Sequence, residues 1–299
     1  MTIIDEIRSF FASLTQGAAV LQTLPAGYLA YAIRQRGEYG VAVEWNGDRP
    51  ISEYFSSAHL FSTEIFIGGE AKNMLLLISD REEYRNEFAA VCAQFVDPGE
   101  EGHDRSTLLE DPLGWWTNWK NLLGNTSLDR TPYSVLCELL VLKHVLAFDP
   151  EAKWTAAESG THDIESETAC YEAKSTKLRY GSYLTVSSQH QLVAPKPLKL
   201  FFVRVESSPA GLCINDLVNE LESIGYDPVL LEDQLSRQRY EKGSSDREKR
   251  YSILVKREYV IDAAFPKITA ESFKGNVIPN SIYSITYTVD LDGIPYNPW

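Results

Sequence analysis

The chain has 299 residues, 44% hydrophobic and 23% charged, with a formal net charge of −14; this is ordinary globular composition with ample length for one large or two smaller cores. Cys92, Cys137, Cys170 and Cys213 lie far apart with no Cys-x-x-Cys pair, which argues against a disulfide framework or a zinc knuckle. The acidic balance argues against indiscriminate nucleic-acid binding, because affinity for DNA comes largely from neutralised phosphates.

From the N-terminus, the apolar spacing Ile3, Ile4, Ile7, Phe10, Phe11, Leu14 predicts an amphipathic helix. The start carries Asp5 and Glu6 where a signal peptide needs base, and no apolar run approaches the roughly 18 residues of a membrane span. A cytoplasmic protein without membrane contact is expected. Strand-like stretches follow at 28–33, 40–45, 60–67 and 74–79, then a helix over about 80–95. The loop Pro98-Gly99-Glu100-Glu101-Gly102 marks a break. The next helix, 112–123, carries Trp115, Trp116 and Trp119, a cluster that reads as packing before it reads as base stacking. These elements make residues 1–125 a smaller, strand-rich α+β region.

Residues 126–299 form the second expected domain. A strongly apolar helix is predicted over 133–148, with Glu138 as the exception among Leu136, Leu139, Leu140, Leu142 and Val145. Carboxylates are rarely buried without a partner, so Glu138 sits on the wet edge of the helix or aims at a cation. Short strands are predicted at 153–158, 161–166 and 168–176, a short helix at 187–193, a strand at 199–206 and an amphipathic helix at 215–224. This order makes a layered α/β domain, a mixed central sheet flanked by helices.

Two strands carry the chemistry: Thr161-His162-Asp163-Ile164-Glu165 and Tyr171-Glu172-Ala173-Lys174. Side chains alternate along a strand, so Glu172 and Lys174 share one face and Ala173 takes the other. Two carboxylates from neighbouring strands suit a hard divalent cation, and the ammonium beside them can orient an attacking water and offset phosphate charge. Period two leaves Glu165 on the same face as Asp163, as a rival ligand, and turns His162 away toward packing, the surface or a phosphate. A Glu-x-Lys triplet alone means little: Glu70-Ala71-Lys72 and Glu151-Ala152-Lys153 are also present, in turn and loop contexts.

Charge is unevenly spread. Residues 1–130 hold 10 basic and 19 acidic side chains, whereas 174–204 hold Lys174, Lys177, Arg179, Lys196, Lys199 and Arg204 and no acid. Lys177, Arg179, Lys196 and Lys199 are therefore the expected DNA contacts, on a positive funnel to the site. A second basic run, Arg237 to Arg257, reads equally as a solvated helix or loop face. The loop aromatics Tyr180 and Tyr183 and the nearby His190 read as DNA contacts or as simple cover.

The Asp…Glu-x-Lys spacing resembles the core of the PD-(D/E)XK nuclease superfamily. Residues 130–290 further resemble one bacterial family of that superfamily without an assigned function. The likeness runs through Glu138-Leu139-Leu140, Trp154-Thr155, the Glu-x-Lys strand, Val186 to Leu192, Ile224-Gly225-Tyr226 and Phe265-Pro266-Lys267-Ile268. It implies a restriction-endonuclease-like core with Asp163, Glu172 and Lys174 as the catalytic set. It also implies Glu138 as a further metal-binding acid and Gln191 as a polar residue facing the site. The implied activity is Mg²⁺-dependent DNA cleavage, with Mn²⁺ able to substitute. The implied setting is anti-phage defence beside ATPase or helicase-like and methyltransferase proteins, acting as a homodimer or within a complex. A catalytically silent DNA-binding or assembly subunit is the alternative. Ala173 stands where the family usually has a larger apolar residue.

Overall fold

Thr2 and Asp5 close a capping box that starts α1 (Ile3–Ser13), and the buried Ile7 and Phe11 on its inner face confirm the predicted spacing. This helix opens the first of two units in a computed structural model: Met1–Asp129 with Glu241–Ser245, and Arg130–Tyr240 with Asp246–Trp299. The structure describes all residues except 36, 124–130, 157–161, 187–190, 277, 280–281 and 283–284, and only the backbone at 121–123.

The first unit holds one antiparallel sheet. Its strands are β1 (Gly17–Val20), β2 (Ala30–Gln35), β3 (Glu38–Glu44), β4 (Ser52–Phe55), β5 (Ala58–Ile67) and β6 (Glu70–Ser79), in the order β1-β2-β3-β6-β5-β4. Alternation sends Tyr39, Val41, Val43, Leu75 and Leu77 into a core with α1 and α2 (Arg85–Val96). Ala42, Met74, Leu76 and Ile78 line the other face. Gly40 has no substitute, since a Cβ there would meet the Leu77 carbonyl oxygen at 2.0 Å. Helices α3 (His103–Glu110) and α4 (Pro112–Leu123) follow. Trp116 is buried and Trp115 packs edge-on to Phe95, so the tryptophans serve as packing. Segment 241–245 joins this unit through polar bonds: Tyr54 donates to Glu241 at 2.7 Å, and the Ser245 N–H donates to the buried Glu53 at 2.6 Å. Hydrophobic periodicity carries no trace of such a return.

The second unit centres on a mixed sheet ordered β12-β11-β9-β8-β7. Its strands are β7 (Lys153–Trp154), β8 (Ile164–Glu165), β9 (Cys170–Thr176), β11 (Leu198–Leu212) and β12 (Tyr251–Val260), and only β9 and β11 run parallel. One face packs on α5 (Pro132–Leu146), α6 (Ile214–Ser223) and α7 (Pro228–Arg237) through Leu136, Leu139, Phe201, Val203, Leu217 and Leu231. The other face packs Cys170, Leu200 and Phe202 against a ribbon of β10 (Tyr183–Val186) and β13 (Tyr287–Asp290). The fold is mixed α/β, as expected, with helices flanking a largely antiparallel sheet.

Several elements depart from expectation. Of the strands predicted at 153–158 and 161–166, the described residues form strand only at Lys153–Trp154 and Ile164–Glu165, because Thr155 and Ala156 both donate to the Asp163 carbonyl, which curls the chain out of the ladder; residues 157, 158 and 161 lie outside the described residues. Of the helix predicted at 187–193, residues 187–190 lie outside the described residues and 191–193 are not helical. The second basic run is mixed: Arg237, Arg239, Lys242, Lys249 and Arg250 are exposed, as on a solvated face, whereas 251–257 is strand β12 and Arg247 is buried on Glu232 at 2.8 and 2.9 Å.

Candidate active site

Thr131 caps α5, Pro132 starts it, and its buried residues hold its middle in the core. Glu138 lies in that buried stretch, 5% exposed, so it is not on a wet edge. Its partner is an indole: the fully buried Trp154 donates from Nε1 to Glu138 Oε2 at 2.9 Å. The Trp154-Thr155 pair thus ties β7 to the helix acid.

The pairing of Ile164 with Tyr171 places residue 163 opposite residue 172. Asp163 is 8% exposed and its Oδ2 accepts from the Ala173 N–H at 2.9 Å. Its carboxyl is held well above the usual carboxylate range, first by burial and then by the neighbouring Glu138 and Glu172 charges, with Lys174 and the Ala173 N–H opposing. Three acids therefore act on one another here. Glu172 is 2% exposed, and its Oε1 meets Lys174 Nζ at 2.9 Å. Burial works against the Lys174 ammonium, but Glu172, Asp163 and Glu138 outweigh it and hold the lysine above its ordinary range. Lys174 remains a quarter exposed, which keeps one charged group of the set in reach of solvent.

His162 lies before the two-residue β8, where alternation has no hold, and it is buried rather than surface-facing. Its Nδ1 is 3.7 Å from Glu172 Oε2. Strand alternation, which turns this residue away from the site, needs a longer strand than the two residues of β8. The rival ligand Glu165 pairs across the ladder with Cys170, where its charge helps burial raise the thiol. Glu165 is thus two ladder positions from Asp163, opposite Cys170 rather than Glu172. Gln191 is half-buried next to Leu192, which packs in the apolar cluster on the Glu172 side of the sheet; residues 189 and 190 lie outside the described residues.

The four expected DNA contacts do not form one funnel. Lys177 and Arg179 are exposed just after β9, the strand that carries Glu172 and Lys174. Lys177 bonds Ser207 at 2.9 Å and lies over the Tyr133 and Tyr251 rings. Lys196 is bound to the Ser166 carbonyl at 2.7 Å. Lys199 pairs with Tyr171 across the ladder, so it faces the α5 side, opposite Glu172 and Lys174, with Glu258 at 3.2 Å. The count of basic residues along the chain could not reveal the face each one takes.

Among the described residues, no group of three or more His, Cys, Asp or Glu side chains stands assembled to hold a metal ion. The expected three-acid ligand set is therefore not preformed, and the Trp154 bond on Glu138 Oε2 gives the physical reason. Asp163 and Glu172 still fit a divalent cation. Mg²⁺ sites need only one or two carboxylates with waters, and Glu172 Oε2 is buried without a hydrogen-bond partner among the described residues.

No curated protein and no solved structure matches the chain. A family model described as "Putative PD-(D/E)XK family member, (DUF4420)" matches residues 28–292, nearly the whole chain. The buried Asp163, just before β8, and the buried Glu172 and partly exposed Lys174 on β9 sit within that match, and the chain belongs to this PD-(D/E)XK family.

Proposed function

We propose that the protein is a divalent-metal-dependent DNA endonuclease that hydrolyses phosphodiester bonds at Asp163, Glu172 and Lys174. The single observation behind this reading is that two buried acids, one just before β8 and one on β9, share one site with an ammonium, which few structural needs explain. Burying several like charges costs stability unless each is paired, and Asp163 is kept well above its ordinary range for that reason.

Asp163 and Glu172 would hold the cation, Mg²⁺ or Mn²⁺. When bound, it supplies charge on the scissile phosphate and a more acidic water. The Ala173 N–H keeps Asp163 oriented. Glu138, fixed by Trp154, adds negative charge that draws the cation in. Lys174 holds the attacking water and, as its charge is favoured by three acids, offers a proton-bearing ammonium to a developing phosphate oxygen. Gln191 would contact water or phosphate on the same side. Lys177 and Arg179, exposed beyond the end of β9, would meet the DNA backbone.

The net charge of −14 makes one subunit a weak DNA binder, so a second copy or a defence-cluster partner of ATPase or methyltransferase type would help hold the duplex. Anti-phage or restriction-type defence in the cytoplasm is the setting this reading favours. The rival, a silent nuclease-fold subunit, draws on the same acidity and on the unassembled third ligand. Nicking of plasmid DNA by the purified chain, alone and with its genomic neighbours, separates the two. Metal-dependent nicking supports the enzyme, and DNA retention without nicking under every combination favours the silent subunit.

A further inference from the structure

His162 Nδ1 and Glu172 Oε2 face each other at 3.7 Å, both on side chains 2–3% exposed, and neither has a hydrogen-bond partner among the described residues. Buried polar atoms are nearly always satisfied, so two orphans in opposition call for something between them. Their separation is too long for a hydrogen bond. Octahedral bonds of about 2.1 Å meeting near 90° put neighbouring donors about 3.0 Å apart, so a shared cation would draw this pair together by a side-chain adjustment of less than about 1 Å.

The segment carrying the imidazole is fixed. Thr155 Oγ1 donates to the His162 carbonyl at 2.9 Å, and the Thr155 N–H donates to the Asp163 carbonyl at 2.9 Å. One threonine thus anchors both residues, and the Ile164–Tyr171 pairing sets them beside Glu172.

We propose that His162 Nδ1 is a direct donor to the divalent cation held by Asp163 and Glu172, that the ion draws together three side chains that do not stand assembled without it, and that this nitrogen makes the site favour Mn²⁺ over Mg²⁺. The inference rests on the nuclease reading of the same site. Mg²⁺ takes oxygen ligands and keeps its waters, whereas imidazole suits transition metals and carboxylates suit both. The neutral ring binds through the Nδ1 lone pair with its proton on Nε2. Two carboxylates alone would give little basis for discrimination; the added nitrogen gives one.

His162→Asn tests the proposal, because its short amide replaces the ring nitrogen and can still donate to Glu172. Mn²⁺ and Mg²⁺ affinities are measured by titration calorimetry on the metal-stripped full chain, with circular dichroism to check the fold. The expected result is tighter Mn²⁺ than Mg²⁺ binding by wild type, and a selective loss of Mn²⁺ affinity of about 10–100-fold in the variant. Equal loss for both ions, or no loss, would overturn the proposal and leave His162 as a residue that orients Glu172. Pulsed electron paramagnetic resonance of the Mn²⁺-loaded wild type gives a second reading if the variant does not fold. Coupling to a ligand nitrogen is expected, and bound Mn²⁺ without it overturns the proposal. DNA cleavage without nitrogen coupling sinks this inference alone. Absence of both cation binding and cleavage sinks the nuclease reading with it.

Discussion

Asp163→Asn separates the stability of the site from its chemistry. The amide keeps an acceptor for the Ala173 N–H, 2.9 Å away, and nearly the same volume, but it removes one carboxylate from a buried set that also holds Glu138 and Glu172. Because burial and these neighbours raise the folded pKa of Asp163 above its unfolded value, the native state keeps a proton that the unfolded chain releases. Stability must then fall as pH rises between the two values, and be unaffected by this group below both. One group binds one proton, so the slope it adds is at most about 1.4 kcal/mol per pH unit. In wild type, without metal, stability should decline from about pH 4 upward relative to the asparagine variant. At pH 7–8 the variant should melt higher by at least about 2–4 °C, the shift that 1 kcal/mol gives a domain of this size. Scanning calorimetry of both proteins in chelator, from pH 4 to 8, reads the difference directly. Parallel profiles, or a variant that melts lower at neutral pH than at pH 4 relative to wild type, would refute the reasoning.

Lys174→Met keeps the length of the side chain but leaves Glu172, 2% exposed, without its ammonium. Cleavage should vanish and urea denaturation should show a loss of about 3 kcal/mol at neutral pH, since breaking a buried pair strands a charge; a loss under about 1 kcal/mol would show the pair to be solvated. Trp154→Phe removes the indole donor from Glu138 and part of a fully buried ring, and should cost about 2–3 kcal/mol in the same measurement. Neutralising Lys177 and Arg179 together to glutamine should lower the slope of log K against log salt by about 1.8 for duplex DNA, while Lys199→Gln should leave it unchanged. An unchanged slope in the double variant would remove both residues from the DNA path.

Much of the site was legible because strand periodicity and residue chemistry act over short range. The Glu172–Lys174 face needs only alternation within β9, a strand long enough for the rule to hold. Asp163 followed from its spacing to Glu172 and from family resemblance. His162 was missed because the same rule was applied across a segment that is ladder-paired for only two residues. Glu138's partner was hidden for a different reason: an indole 16 residues away closes the bond, and no pattern marks a tryptophan as a donor rather than as bulk. Lys199 was misplaced because basic residues were counted along the chain, while β11 sends alternate residues to opposite faces. The return of segment 241–245 to the first unit rests on polar bonds to Glu53, Tyr54 and Ser52, which leave no hydrophobic period.

The central claim is that Asp163, Glu172 and Lys174 hydrolyse phosphodiester bonds with a divalent cation. Single-turnover cleavage of an end-labelled DNA duplex tests it most directly, comparing wild type with Glu172→Gln in Mn²⁺, Mg²⁺, Ca²⁺ and chelator, with any partner protein found necessary held constant. The account predicts cleavage by wild type in Mn²⁺ or Mg²⁺, little in Ca²⁺, none in chelator, and a loss of at least about 100-fold in Glu172→Gln, corresponding to about 2.7 kcal/mol of barrier. Cleavage by Glu172→Gln at the wild-type rate, or by wild type in chelator, would contradict it.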